Sequence, residues 1–178
     1  MNIRIATPSD ASAITKIQID NWKYAYKTIF PEEFLEDLNY KHKIIQNKLW
    51  LENLEDTTRV YSAENDSQVI IGFAVGGLER ENTPEFSGEL WGLYVSNNHQ
   101  RRGIRTQLLG KIVQYLLDLN FSSMLVWILK GNPYRAFYEK FDGKIIAEKQ
   151  KDFNGLKRPI FAYGWSDLQQ LNNLISLQ

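Results

Sequence analysis

Hydrophobic and polar positions along the 178-residue chain change period several times, and each change predicts an element. Asn2 to Ala6 (NIRIA) alternate polar and apolar, the two-residue period of a strand. Pro8, Ser9 and Asp10 then supply helix-start chemistry. Ala13, Ile14, Ile17, Ile19 and Trp22 follow at roughly helical spacing. Pro31, inside TIFPEEFL, breaks that helix, because the residue before a proline is pushed out of helical backbone, and a short second helix begins there. Ile44, Ile45, Lys48, Leu49 and Leu51 predict a third helix within Tyr40 to Leu54. RVYSAEN (Arg59 to Asn65) and QVIIGFAVGGLER (Gln68 to Arg80) read as strands joined into a hairpin through Asp66 and Ser67. After the loop ENTPEFSG, GELWGLYVS (Gly88 to Ser96) alternates into another long strand. Regular pleating there puts Glu89, Trp91 and Leu93 on one face.

The clearest helix follows the loop SNNHQRRG: Ile104, Leu108, Ile112, Leu116 and Leu119 form an apolar stripe at intervals of three and four. FSSMLVWIL (Phe121 to Leu129) is short, apolar and bounded by turn residues, which predicts a buried strand. GNPYRAFYEKF starts another helix, with Pro133 at a tolerated early position. KIIAEKQ and LKRPIFAYGW flank Asn154-Gly155, a strong hairpin signal, and Pro159 predicts an edge or a bulge in the last strand. SDLQQLNNLISL is a final helix with Ser166 as its cap. The pattern implies a mixed sheet with helices packed on it, in one domain spanning 1–178.

Composition narrows the function classes. Hydrophobic residues make up 43% and aromatics 13% of the chain, enough for a core. Lys plus Arg and Asp plus Glu are 21 each, which argues against a nucleic-acid binder, whose affinity comes from a basic surface. The chain has no cysteine and only His42 and His99. Thiolate metal sites, a cysteine nucleophile and a Ser-His-Asp triad are therefore poor fits, and no metal is expected. No stretch reaches the ~20 apolar residues of a membrane span, and the first residues carry no signal peptide. A cytoplasmic protein with no membrane partner is expected.

The loop between the strand ELWGLYV and the long helix, His99 to Val113 (HQRRGIRTQLLGKIV), holds the strongest chemistry. Helix N-termini offer unpaired N–H groups and a partial positive charge. Gly103 lacks a Cβ, so an anion can approach the backbone, and Arg101, Arg102 and Arg105 add charge suited to a pyrophosphate. A helix start with a solvated basic rim gives the same letters. The loop lacks the Lys and Ser or Thr of a P-loop, and it lacks the early βαβ setting of a dinucleotide fold.

Gln100-Arg101-Arg102-Gly103-Ile104-Arg105, between that strand and helix, resembles the acyl-CoA-binding motif of the GNAT superfamily of N-acetyltransferases. A second block, Val126 to Phe141 (VWILKGNPYRAFYEKF), is similar to another motif of that family, and IRIATPSDASAI with WKYAYKTIFPEEFL resembles its N-termini. The resemblance covers nearly the whole chain. Two positions depart from the pattern: Arg105 stands where the loop has glycine or alanine, and Phe141-Asp142-Gly143 replaces a short loop with Gly-Phe. Arg105 must turn its side chain away from the phosphate or lie over it.

The resemblance implies an α/β fold: a mixed, mostly antiparallel sheet of about seven strands with helices on both faces. It implies acetyl-CoA as cofactor and a primary amine of a small molecule or peptide as acceptor, with Gln100 to Thr106 around the pyrophosphate. Backbone groups of Leu93, Tyr94 and Val95 would meet the pantetheine arm where two strands splay, and Asn132 would contact the cofactor. Without a cysteine, direct attack by the amine is the simpler route. Glu89 matches the family's base and Tyr138 its general acid. A phenol has an ordinary pKa near ~10, suited to protonating a leaving thiolate. Trp22 and Tyr26 share one helical face, where they wall an acceptor pocket or pack on the sheet. Glu32, Glu33, Glu36 and Asp37 either attract a cationic amine or form a solvated face. His99 and His42 read as solvated. A non-catalytic acyl-CoA-binding module on the same scaffold is the competing reading, and family pattern alone points to a homodimer.

Overall fold

The first strand, β1 (Asn2–Ile5), is anchored by a buried carboxylate. Arg4 Nη1 and Nη2 donate to Asp10 at 2.7 and 2.9 Å, and Arg4 Nε donates to Glu64 at 2.7 Å. The Thr7 backbone N–H also donates to Asp10, at 2.9 Å. This closes the short 3-10 turn Pro8–Asp10 that launches helix α1 (Ala11–Ala25). The helix-start chemistry therefore builds a turn and an ion-pair anchor before the helix proper.

The computed structural model describes residues 1–178. After α1 come α2 (Glu32–Glu36), α3 (Tyr40–Glu52), β2 (Arg59–Glu64), β3 (Ile70–Leu78), β4 (Gly88–Val95) and α4 (Ile104–Asp118). They are followed by β5 (Met124–Leu129), α5 (Arg135–Lys140), β6 (Lys144–Phe153), β7 (Leu156–Trp165) and α6 (Leu168–Ser176). One sheet in the order β1-β2-β3-β4-β5-β7-β6 runs through the molecule, with only β4 and β5 parallel. The mixed α/β, mostly antiparallel seven-stranded sheet is the architecture expected. The apolar stripe of α4 is completely buried at Leu108, Ile112 and Leu116, in a cluster shared with α6 and α5 on one face of the sheet. On the other face α1 and α3 pack over β2 and β3 through Ile14, Ile17, Leu51 and Phe73. No helix is long and apolar enough to cross a membrane.

Several local expectations change. β7 lies between β5 and β6, so Pro159 is not on an edge strand. Its carbonyl accepts from Lys130 N–H, and strand pairing with β5 ends at Leu129–Ile160. The missing proline N–H thus faces Lys130, just past the end of β5, and the bond it forgoes is the reciprocal one to the Lys130 carbonyl. The bulge of this hairpin lies on β6, between Ile145 and Ala147. The cap of α6 is Asp167, whose side chain accepts from Gln170 N–H, and not Ser166. Pro133 precedes α5, which begins at Arg135. The β6–β7 turn uses positive φ at both Asn154 (52°) and Gly155 (87°), as a two-residue hairpin requires.

β4 departs most from regular pleating. Val75 pairs with Gly92 but Gly76 pairs with Leu90, so Trp91 is an extra, unpaired residue. This bulge shifts the alternation. Leu90, Leu93 and Val95 pack towards α4, whereas Trp91 and Tyr94 pack towards α1. Glu89, Trp91 and Leu93 therefore do not share one face.

Asp10 titrates below its ordinary value of 3.8, because hydrogen bonds and charge from Arg4 and the Thr7 N–H outweigh the burial that opposes them. A depressed carboxylate stabilises the fold above its unfolded pKa and loses that contribution as pH falls through the folded value. Asp10→Asn is expected to cost about 2 kcal/mol at neutral pH. In urea denaturation the gap between wild type and variant should close below pH 3.8; a gap independent of pH would deny the ion pair its role.

Candidate active site

Helix α4 starts on Gly103, whose φ of 75° makes it a left-handed N-cap. An added Cβ would meet only Gln107 Nε2, at 3.9 Å, so the need for glycine here is conformational. Arg101 also has positive φ, 61°. The cradle is lined by His99, Gln100, Arg101, Gly103, Ile104, Arg105 and Thr106, and is closed on the far side by Pro133, Tyr134 and Phe137. Arg102 is exposed and lies outside it. Gln100 Nε2 donates to Tyr134 Oη at 3.0 Å and to Asn97 Oδ1 at 3.1 Å, tying the loop to the start of α5. Arg105 lies over the Tyr134 ring at 4.0 Å, so its side chain runs along the wall that Tyr134 and Phe137 form and lines both the cradle and the neighbouring cleft. His99 Nδ1 pairs with Ser96 Oγ at 2.8 Å, a contact that shapes the loop, and His42 is exposed.

Beside the cradle the sheet opens. β4 and β5 pair only at Gly88–Met124 and Glu89–Leu125, and the ladder stops where the Trp91 bulge bends β4. Ser96 N–H donates to Ile71 of β3. Strand alternation therefore turns the backbone groups of Leu93 and Val95 towards the open side and those of Tyr94 towards β3. The Val95 carbonyl is taken by Asn21 Nδ2 at 3.1 Å, which leaves Asn21 Oδ1 buried without a partner.

The opening forms a cleft through the sheet of about 170 Å³. Glu89 reaches it from the α1 side and Tyr138 from the α4 side, together with Trp22, Tyr26, Tyr94, Arg105 and Asn132. Glu89 is 1% exposed, not the surface residue that a strand-start glutamate commonly is. Arg80 clamps it: Nη2 donates to Oε1 at 2.5 Å, and Nε and the backbone N–H donate to Oε2 at 3.0 and 3.2 Å. The guanidinium also stacks over Trp91 at 4.3 Å.

Tyr138 is buried and makes no hydrogen bond to another side chain. Burial pushes its hydroxyl up to about 12, against the pull of the Arg105 charge. The phenol keeps its proton at neutral pH. Asn132 accepts from Tyr134 N–H at 2.8 Å, so it caps the turn before α5, and its Nδ2 donates to Tyr26 Oη at 3.1 Å. Tyr26 is also raised, mainly by burial. Trp22 Nε1 donates to Tyr94 Oη at 3.3 Å, and the Trp22 ring meets Tyr26 edge-on at 5.1 Å. Trp22 and Tyr26 thus both pack and line the cleft. Glu32, Glu33, Glu36 and Asp37 are exposed and lie outside it.

Sequence reasoning missed Asn21, Arg80, Tyr134, Lys151 and Phe153. Asn21 had a signal, a polar residue inside the apolar helix AITKIQIDNWKY. Arg80 had none, because its partner lies across a strand pair.

The model of the acetyltransferase (GNAT) family matches residues 14–143. The chain belongs to the GNAT acetyltransferase family. A Bacillus subtilis (strain 168) relative described as the uncharacterized N-acetyltransferase YuaI is 31% identical over 176 residues, 99% of each chain. Among solved structures, yncA from Salmonella typhimurium, solved with its cofactor acetyl-CoA, is 18% identical with a TM-score of 0.68, covering 94% of each chain. The ribosomal-protein-alanine N-acetyltransferase of Brucella melitensis is 23% identical with a TM-score of 0.66, covering 93% of this chain and 99% of that one. These two likenesses establish the GNAT fold, and family membership makes the chain an acyltransferase.

Removing Arg80 strands a buried carboxylate. Arg80→Met should cost about 1–2 kcal/mol, less than for a fully buried pair because the guanidinium is half exposed. Adding Glu89→Gln should recover part of that loss in a double-mutant cycle by urea denaturation. Strictly additive losses would mean that the pair is not coupled.

Proposed function

We propose that the chain transfers an acetyl group from acetyl-CoA to a primary amine by direct attack, with residues 1–178 acting as one domain. The observation that carries this reading is the meeting of Glu89 and Tyr138 in one cleft, from opposite faces of the sheet, beside a glycine-started helix N-terminus.

The residues fit the cofactor on two grounds. The α4 N-terminus provides backbone N–H groups for a pyrophosphate from Gln100 to Thr106, with Arg101 at the rim. In the opening, the Leu93 and Val95 backbone and the orphaned Asn21 Oδ1 suit an extended chain bearing amides. Acetyl-CoA, when bound, supplies an acetyl thioester whose C–S bond breaks as the acceptor's C–N bond forms.

Glu89 takes the proton of the acceptor amine at a carboxylate oxygen, directly or through water, and Arg80 fixes the direction of that carboxylate. Tyr138 Oη holds the proton that goes to the departing sulfur. The burial that raises the phenol raises a thiol in the same cleft, so the two stay matched. Asn132 orients Tyr26, and Trp22 and Tyr26 exclude water on the acceptor side. A non-catalytic acyl-CoA-binding module would share the cradle but has no need for Glu89 and Tyr138 to meet in one cleft, and that meeting supports the catalytic reading.

Calorimetric titration with acetyl-CoA tests the first half of this reading, with saturable one-to-one binding expected. Tyr138→Phe should leave that affinity within about threefold while lowering kcat by about 10²-fold or more, measured as release of free CoA. Unchanged kcat would remove Tyr138 from the chemistry.

A further inference from the structure

The acceptor side of the cleft has a mouth built from two segments far apart in sequence. One is Arg80–Glu81, at the end of β3. The other is the face of β6 that carries Lys149, Lys151 and Phe153 at alternate positions. Lys149 Nζ forms an ion pair with Glu81 Oε2 at 2.7 Å, which joins the two segments. The Glu81 carboxyl is held below its ordinary value by Lys149 first, with further charge from Lys151 and Arg80, so three cations surround it. Phe153 packs on Trp22 and Phe30 at 5.9 and 5.3 Å, which brings the Lys151 end of β6 over the aromatic wall.

Charge accounting at this mouth is one-sided. Both of its carboxylates are engaged, Glu89 by Arg80 and Glu81 by Lys149. Lys151 lines the cleft from an exposed position and forms no ion pair within 4.0 Å; its charge reaches Glu81, and its ammonium lies against the Phe153 ring at 5.9 Å. On the cleft floor the buried Trp127 Nε1–H has no acceptor, and Lys149 sits over that ring at 4.3 Å. A polycationic amine would meet no free carboxylate here and would face an excess of positive charge. An amine that also carries a carboxylate would find an unpaired ammonium and an unpaired indole donor. The cavity, about 170 Å³, falls below the roughly 300–1,000 Å³ of sites for drug-sized ligands. A compact acceptor suits that space best.

We infer that the acceptor is a small α-amino acid with an apolar or aromatic side chain, its carboxylate held by Lys151 and the Trp127 N–H while Trp22 and Phe153 flank its side chain. The inference rests on the acetyl-transfer reading and narrows it to one class of amine.

The test measures CoA release with L-phenylalanine, L-leucine and L-methionine, each against the matching amine that lacks the carboxylate, and with spermidine. For at least one pair, kcat/KM should favour the amino acid by tenfold or more, with spermidine poorer still. Lys151→Gln should reduce that preference towards one through a rise in KM, and Lys151→Arg should restore it. Acetyl-CoA titration is run in parallel on each protein. Intact acetyl-CoA binding with equal or better use of the decarboxylated amines or spermidine, or with no amino acid accepted, overturns this inference alone. A preference that Lys151→Gln leaves unchanged also overturns it. Absence of acetyl-CoA binding by folded wild type overturns the acetyl-transfer reading, and this inference with it.

Discussion

The extra residue Trp91 in β4 is the constraint on which the site depends. A bulge bends its strand and adds local twist, and here the bend falls where the parallel β4–β5 ladder ends after two residue pairs. Had pairing continued to Val95, the sheet would be closed and Tyr138, on the α4 side, would be sealed from Glu89 on the α1 side. The bulge also moves Leu93 into the core and turns Tyr94 to the α1 side, where its hydroxyl receives the Trp22 N–H. One inserted residue thus opens the cleft and sets which side chains line it.

An opening in a sheet leaves polar backbone without partners, and this one is held by specific substitutes. Asn21 caps the Val95 carbonyl from α1. Gln100 ties the cradle to Tyr134, and Asn132 closes the turn before α5 while bonding Tyr26. These bonds fix the geometry of α4, α5 and α1 around the cleft, so the side chains proposed for chemistry sit on rigid elements. The region is low in free carboxylate and rich in rings, a polarity that bears on acceptor choice as much as the residues at the reacting centre do.

Arg80 and Arg105 show two uses of a cation at one site. Arg80 is spent on Glu89 and Trp91, which makes a buried carboxylate tolerable. Arg105 stacks on Tyr134, and its charge moderates the burial shift of Tyr138. Both guanidiniums lie over aromatic rings, Arg80 on the acceptor side and Arg105 on the cradle wall beside the left-handed Gly103.

The elements and the strand count are legible in the chain alone, because periodicity and turn chemistry are local, and the candidate site positions are legible through resemblance to the family's motifs. The stripe from Ile104 to Leu119 reads as a buried helix face and Asn154-Gly155 as a tight turn, whereas Gly103 before that helix fits both an anion cradle and a solvated helix start. Tertiary structure decided everything that depends on two segments meeting. The bulge at Trp91 arises from register with β3 and is invisible in GELWGLYVS, whose regular alternation predicts one face for Glu89, Trp91 and Leu93 that the folded strand does not keep. The burial of Glu89 depends on Arg80 across a strand pair. Pro159 is tolerated in an interior strand because β5 ends beside it, and Lys151 faces the cleft only because the β6–β7 hairpin folds back over α1. Local propensity is written within a few residues of chain, whereas register, ion pairing and the ending of a ladder are properties of neighbours that only the folded sheet supplies.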